Sequence, residues 1–350
     1  MRRQKLRFAM IGTGNFGPFL AQYINGVAEV VAICDPSPEA RTRFHQITRL
    51  KVPDYDSSDR LFAEVDFDAV ALAGPNHTHK SLTIAAAQAG KHVFCEKTMA
   101  PNVPDCWEMV RACEAANVRL MVGHKRRLRP PWARMIELRE DLGSVVAIST
   151  VLYFDARPDN LRGWWAREAD SGGVLTLGGV HEIDWMRAMC DDVEAVSAVS
   201  GPPIDPNYDF SDSIHVMLRF RNGAIGLLGV SLSYPLLRYR QVYGAEVMCR
   251  QGGMHLQTFM HHAELSWRLL SESETHQQRF EAKGEDPVGS EVAFRKEVGD
   301  FVRWVTEGTA PCLTWREGLR CVEVIEAARR SAKKNGSWIQ LPLYPELETG

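Results

Sequence analysis

Leu6-Arg7-Phe8-Ala9-Met10-Ile11-Gly12-Thr13-Gly14-Asn15-Phe16-Gly17 stands near the start of the chain and sets its architecture. Residues 6–11 form an apolar run of strand length, and residues 16–25 carry the pattern of the opening turns of a helix. G-x-G-x-x-G is a weak pattern alone, but between a strand and a helix each glycine has a mechanical task. Gly12 allows the tight turn, Gly14 the close approach of a pyrophosphate, and Gly17 the packing of helix on strand. The helix N-terminus offers free N–H groups and partial positive charge to the phosphates. A second apolar run, residues 30–34, ends in Asp35, where a carboxylate takes the hydroxyls of the adenosine ribose. Gly12, Thr13, Gly14, Asn15, Phe16, Gly17 and Asp35 are therefore the predicted dinucleotide site. The Asp35 charge repels a 2′-phosphate and no arginine directly follows it, which points to NAD. Arg41 and Arg43 on the next helix leave NADP open.

Outward from this loop, strand and helix patterns alternate. Helices are expected over 39–50, 59–65, 80–89 and 103–116, and strands over 68–73, 92–95 and 120–122. Such βαβ units imply a parallel sheet with right-handed crossovers, whose ligands lie beyond the carboxyl ends of its strands. That rule singles out loops 12–17, 74–79, 96–100 and 123–131. It adds Pro75, Asn76, His79, Glu96 and Lys97 to the cofactor-binding candidates, with His77 nearby.

From about residue 145 the pattern becomes that of an antiparallel sheet. Ile214, Val216, Leu218 and Phe220 alternate with His215, Met217 and Arg219, and Asn222-Gly223 predicts a type I′ hairpin turn into 224–231. Further strand-like runs lie at 239–247 and 265–270. Two amphipathic helices follow, with Val298, Phe301, Val302 and Val305 on one face and Leu319, Val322 and Ile325 on the other helix's face. An open sheet apolar on both faces calls for cover by a second subunit, so a dimer or tetramer through this sheet is expected.

With 350 residues, two domains are the natural division: a dinucleotide-binding domain over 1–125, and a substrate-binding and oligomerisation domain over 126–350 whose C-terminal helices have the option of packing back on the first. A net charge of −3 gives no reason to expect nucleic acid or an anionic membrane as partner. No apolar run has the length to span a bilayer. Eight cysteines without a C-x-x-C pair suit buried free thiols in a reducing, cytoplasmic setting. No Cys/His group has metal-ligand spacing and no G-x-S-x-G appears.

Three more segments carry a resemblance. Gly90-Lys91-His92-Val93-Phe94-Cys95-Glu96-Lys97 resembles a strand that ends in Glu-Lys-Pro. Gly172-Gly173-Val174-Leu175, continuing to Gly179-Val180-His181-Glu182-Ile183-Asp184, resembles G-G-x-L-x-D-x-G-x-H-x-x-D. Residues 291–342 resemble the closing helices and strand of the same proteins. In this order, over nearly the whole chain, they resemble the glucose–fructose oxidoreductase / inositol dehydrogenase / rhizopine catabolism (Gfo/Idh/MocA) family of NAD(P)-dependent oxidoreductases. The resemblance implies an α/β protein: an N-terminal Rossmann domain and a C-terminal α+β domain with a large, mostly antiparallel sheet. It places an active site between them, and implies hydride transfer at a ring hydroxyl or keto carbon of a sugar, cyclitol or related diol. It assigns Lys97 and His181 as catalytic residues, with Arg127 a recurrent arginine.

Departures limit that carry-over. Leu177 stands where many members have aspartate, and leucine cannot accept a proton. Thr98 replaces the proline of Glu-Lys-Pro, and a non-proline cis peptide costs about 3 kcal/mol, which predicts a different local backbone. Trp165 occupies a position where arginine is common. Among substrate-side residues, Lys125 and Arg127 of the cluster His124-Lys125-Arg126-Arg127-Leu128-Arg129 either read an anionic group or start a salt-bridged helix. Trp164 and Trp165, flanked by Arg162 and Arg167, either stack on a sugar ring or pack against a partner subunit. Asp184 shares a helix face with His181. Three activities stay open: a dehydrogenase on a polyhydroxylated small molecule, an NAD-recycling elimination or glycoside-cleaving enzyme, and a silent NAD-binding regulator.

Overall fold

A computed structural model describes residues 5–156, 163–234, 242–259, 261–282 and 288–348. Arg162 and the start of the 239–247 run lie outside them. The chain divides into two compact units, residues 1–124 with 294–319, and residues 125–293 with 320–350.

The first unit is built on six strands: β1 (Arg7–Ile11), β2 (Glu29–Cys34), β3 (Asp54–Tyr55), β4 (Ala69–Leu72), β5 (His92–Cys95) and β6 (Leu120–Val122). All pair in parallel, in the order β3-β2-β1-β4-β5-β6. Successive strands are linked through α1 (Gly17–Val27), α2 (Pro38–Thr48), α3 (Ser58–Glu64), α4 (His79–Gln88) and α5 (Val103–Ala115). Every residue of β4 is buried, as a parallel sheet covered on both faces requires. Two of these helices start on side-chain caps: Ser37 Oγ accepts from Ala40 N before α2, and Asn102 Oδ1 accepts from Asp105 N before α5. From the helix Ser290–Glu307, Phe301 sets its ring 5.7 Å from those of both Phe8 and Phe94, closing the core over β1 and β5. The strand order reverses between β1 and β4, and in this fold that switch point is where ligands bind.

The second unit holds a nine-stranded sheet: β7 (Val145–Tyr153), β8 (Val193–Ser200), β9 (Ser213–Phe220), β10 (Ile225–Ser231), β11 (Val242–Cys249), β12 (Gly252–Thr258), β13 (His262–Leu269), β14 (His276–Glu281) and β15 (Ile339–Gln340). Their order is β14-β13-β12-β11-β7-β10-β9-β8-β15, antiparallel except for the parallel pair β7–β10. Helices α6 (Pro130–Leu142), α7 (Glu168–Ser171) and α8 (Val180–Met189) belong to this unit. Alternation along β9 buries Ile214, Val216, Leu218 and Phe220 in one core with Ile183, Trp185 and Met186 of α8. The opposite face leaves Met217, Ile225, Leu227 and Met248 exposed, with Met217 directly across from Leu227.

The β9–β10 turn differs from the type I′ expectation. Gly223 has φ +86° whereas Asn222 is not in the left-handed region, and Phe220 bonds both Gly223 N and Ala224 O. These features define a three-residue loop with a glycine bulge, because the chain bends before Asn222 and leaves one left-handed position.

Candidate active site

In the first unit, β1 runs into the glycine loop and α1 leaves it. Gly12 has φ +93°, and a Cβ there would lie 2.4 Å from Gly74 N. A Cβ on Gly17 would lie 2.2 Å from Gly12 O. The fold itself therefore requires these two glycines. Gly14 differs: its φ is not positive, and a Cβ there would meet nothing within 4 Å. It is exposed beside Asn15 at the crest of the loop, with half-buried Phe16 next. The open volume above Gly14 and the N-terminus of α1 suits a pyrophosphate.

Asp35 directly follows β2. Its Oδ2 accepts from Thr13 N at 2.8 Å and its Oδ1 from Ser37 N at 2.9 Å. Two backbone donors thus aim a carboxylate at the glycine loop while each oxygen keeps acceptor capacity for ribose hydroxyls. Arg41 is held by Asp54 and the Asp35 carbonyl, and Arg43 donates to Asn15 Oδ1 at 2.8 Å. The residues present fit an NAD-type dinucleotide.

Two further loops leave the carboxyl ends of β4 and β5. Pro75 is half-buried and Asn76 buried in the first. His79, expected to border the cofactor, is 1 % exposed and spends its ring on protein: Nδ1 faces Thr98 O at 3.0 Å and Nε2 faces Gly74 O at 3.1 Å. Burial pushes its pKa down. It ties the two loops together. Glu96 is buried and accepts from the Lys97 backbone N–H, and Lys97 is half-buried. The Lys97–Thr98 peptide is cis, against the expectation drawn from threonine. Tertiary contacts outweigh local preference here: Thr98 is buried and its carbonyl faces the His79 ring.

In the second unit the basic cluster forms a short 3₁₀ turn, Lys125–Leu128, against α8. Arg127 donates from Nε to Asp184 Oδ2 at 2.8 Å and from Nη2 to Oδ1 at 2.5 Å. Arg126 pairs with Glu182 at 2.7 Å, both almost fully buried. Arg127 and Asp184, read from sequence as substrate-side residues, thus engage one another, and Lys125 is left half-buried on the same turn. The guanidinium groups of Arg126 and Arg129 both lie over Trp132, at 4.7 and 4.6 Å.

A π-helical turn, Leu175–Gly179, feeds α8, and Leu177 on it packs against the apolar core. His181 follows. Between Val180 and Met186 it alone is not buried. Trp164 and Trp165 are half-buried on a 3₁₀ turn, with ring centroids 4.9 Å apart.

Sequence reading missed the Arg126–Glu182 pair, whose signal was two adjacent arginines and, in another segment, two carboxylates within three residues. It also missed Glu297, a fully buried carboxylate on the helix face that carries Val298 and Phe301. All eight cysteines are free thiols, and six are buried. Among the described residues no helix is long and apolar enough to cross a membrane.

The chain is 28% identical over 238 residues to the 2,7-anhydro-N-acetylneuraminate hydratase of Escherichia coli, a match covering 66% of this chain and 63% of that one. It therefore spans less than two thirds of that relative's length. It is 24% identical over 347 residues to the myo-inositol 2-dehydrogenase of Thermotoga maritima, covering 95% and 98% of the two chains. The crystal structure of aldose-aldose oxidoreductase from Caulobacter crescentus, complexed with glycerol, superposes with a TM-score of 0.82 at 24% identity, covering 97% of this chain and all of that one. Residues 6–124 match the family model described as "Oxidoreductase family, NAD-binding Rossmann fold" and residues 133–255 match the "GFO/IDH/MocA C-terminal domain". On both domains in sequence, the chain belongs to the Gfo/Idh/MocA oxidoreductase family.

Proposed function

We propose that this protein is an NAD-dependent oxidoreductase acting on a ring hydroxyl or keto carbon of a sugar, cyclitol or related cyclic diol. One observation carries the reading: a Cβ on Gly14, at the N-terminus of α1, would meet nothing within 4 Å, and Asp35, held by Thr13 N and Ser37 N, stands beside this loop. Bound NAD supplies the two-electron acceptor. This chain must then manage the alcohol proton and the charge developing on its oxygen. We assign the second task to Lys97, half-buried in the turn after β5, and the first to His181, the accessible position in the opening of α8. In oxidation, NAD held by the glycine loop and Asp35 would accept the electron pair of the carbinol C–H bond. The hydroxyl proton passes to His181 and a C=O bond forms. Lys125, Trp164 and Trp165 are the remaining substrate-side candidates. The test is NADH absorbance with inositols, aldoses and anhydrosugars. His181→Asn should lower kcat by about 10²–10⁴-fold, and wild-type protein inert with the whole panel would remove the reading.

A second reading, transient oxidation with cofactor recycling, draws support from the hydratase relative and from Leu177 in place of an acid. It predicts product formation without net NADH. We further place the protein in the cytoplasm, as its free thiols suit, and propose a homo-oligomer through the outer sheet face around Met217, Ile225, Leu227 and Met248.

A further inference from the structure

We propose that the second unit carries a ligand site of its own, which takes a small monocarboxylate of one-ring size in a cavity between the turn after α7 and the end of the helix Trp315–Ala332. The cavity has a volume of about 190 Å³. An apolar cavity of about 150 Å³ holds a benzene molecule, so this space suits one ring and its substituent. Val174, Leu175, Phe210 and Ile214, all buried, give it apolar walls. Glu168, Arg329 and Lys333 bring charge to the same walls, and Ser200 and Ser211 bring hydroxyls. Its lining includes none of Lys125, Arg127, Trp164, Trp165, His181 and Asp184, so it is built from other residues than the substrate side assigned above.

Local structure keeps this space open. Gly173 has φ +80°, and a Cβ there would lie 3.6 Å from Glu168 Cγ and 3.8 Å from Phe210 Cδ2, in the gap between those two walls. Tyr208 braces Phe210 with ring centroids 4.9 Å apart, and Glu168 N donates to Asp209 Oδ1 at 2.7 Å. Lys333 N donates to Arg329 O, so the helical turn continues past Ala332 and sets these two cations one turn apart on one face. Glu168 stands 3.8 Å from Lys333 Nζ. Two cations and one carboxylate give the walls one net positive charge, which attracts a monoanion, while Glu168 repels a second negative charge. Burial pushes the Arg329 guanidinium below the ordinary arginine range, against the pull of Glu168 and Glu326, and Arg330 adds to the lowering. In such partly dry surroundings a charge-assisted hydrogen bond to a carboxylate is strong. A guanidinium has five N–H donors, so it can serve a protein partner and a ligand together. The four apolar walls favour a carboxylate with a hydrocarbon body over inorganic phosphate.

Isothermal titration calorimetry with benzoate tests the site, with benzamide as its uncharged counterpart and inorganic phosphate as an anion without a hydrocarbon body. Benzoate should bind with a Kd of about 1 mM or tighter. Benzamide and phosphate should each bind about tenfold more weakly. Arg329→Gln should weaken benzoate about tenfold, and Lys333→Ala, at a side chain 74% exposed, about two- to threefold. Ser200→Trp, at an exposed position of the lining, should fill the mouth and abolish binding with the circular dichroism spectrum unchanged. No heat with benzoate, equal affinity for benzamide, or benzoate affinity unchanged in Arg329→Gln and Ser200→Trp overturns the proposal. If Arg329→Gln does not fold, Lys333→Ala and Ser200→Trp decide by the same criterion. The titration involves no turnover, so its outcome is independent of the oxidoreductase reading.

Discussion

Arg127 holds Asp184 with two guanidinium nitrogens, at 2.8 and 2.5 Å, while Arg126 holds Glu182 at 2.7 Å. Two adjacent arginines of one turn thus clasp two carboxylates of α8 on either side of Ile183. The clasp fixes the helix that presents His181, and it commits Arg126 and Arg127 to carboxylates of their own unit.

Removing one partner leaves a buried charge without its counterion. Arg127→Ala or Asp184→Asn should therefore destabilise the protein by about 3–5 kcal/mol. The Arg127→Leu/Asp184→Leu double variant should recover most of that loss, because matched apolar replacement of a buried pair is often neutral. Chemical denaturation of all three variants checks this, and equal losses in single and double variants would refute it.

Gly14 and Gly17 should separate in experiment. Gly14→Ala should fold normally and weaken NADH binding by about tenfold, equivalent to 1.4 kcal/mol. Gly17→Ala, with its Cβ 2.2 Å from Gly12 O, should lower stability itself, by about 1–3 kcal/mol. Fluorescence titration with NADH and thermal unfolding distinguish the two.

Asp35 should govern cofactor choice. Asp35→Ser removes the charge facing a 2′-phosphate, and Arg43 remains near the loop through Asn15. The ratio of NADP to NAD affinity should rise by about tenfold or more, worth 1.4 kcal/mol. An unchanged ratio would move the specificity elsewhere.

His79 should set an acid sensitivity. Its folded pKa lies below the ordinary 6.5 because burial disfavours the imidazolium. The unfolded chain then binds a proton that the folded one refuses, so stability is lost as pH falls below 6.5. The slope contributed is at most about 1.4 kcal/mol per pH unit. His79→Gln should flatten the stability–pH curve on this acid side.

Met217 and Leu227 oppose each other on the exposed sheet face. If that face joins two copies, Leu227→Glu should yield a monomer in light scattering with the fold intact by circular dichroism.

Sequence alone determined the βαβ part of the first unit, but not the helix Ser290–Glu307 whose Phe301 closes its core. Gly12, Gly17 and Asp35 each satisfy a local demand of backbone geometry or strand end, and short βαβ units repeat those demands within a few tens of residues. Lys97 and His181 were singled out by their resemblance to family motifs, not by a local demand of the backbone. Tertiary structure decided what separation in sequence hides. Arg127 meets Asp184 across 57 positions, Glu297 and Glu96 both border Gly123, and the His79 ring spans two loops. Strand β14, His276-Gln277-Gln278-Arg279-Phe280-Glu281, has no apolar periodicity at all and is a strand because β13 offers it an edge. Propensity and periodicity act over a turn or a pleat. Charge pairing, ring placement and edge addition depend on which distant segments the fold brings within hydrogen-bonding reach.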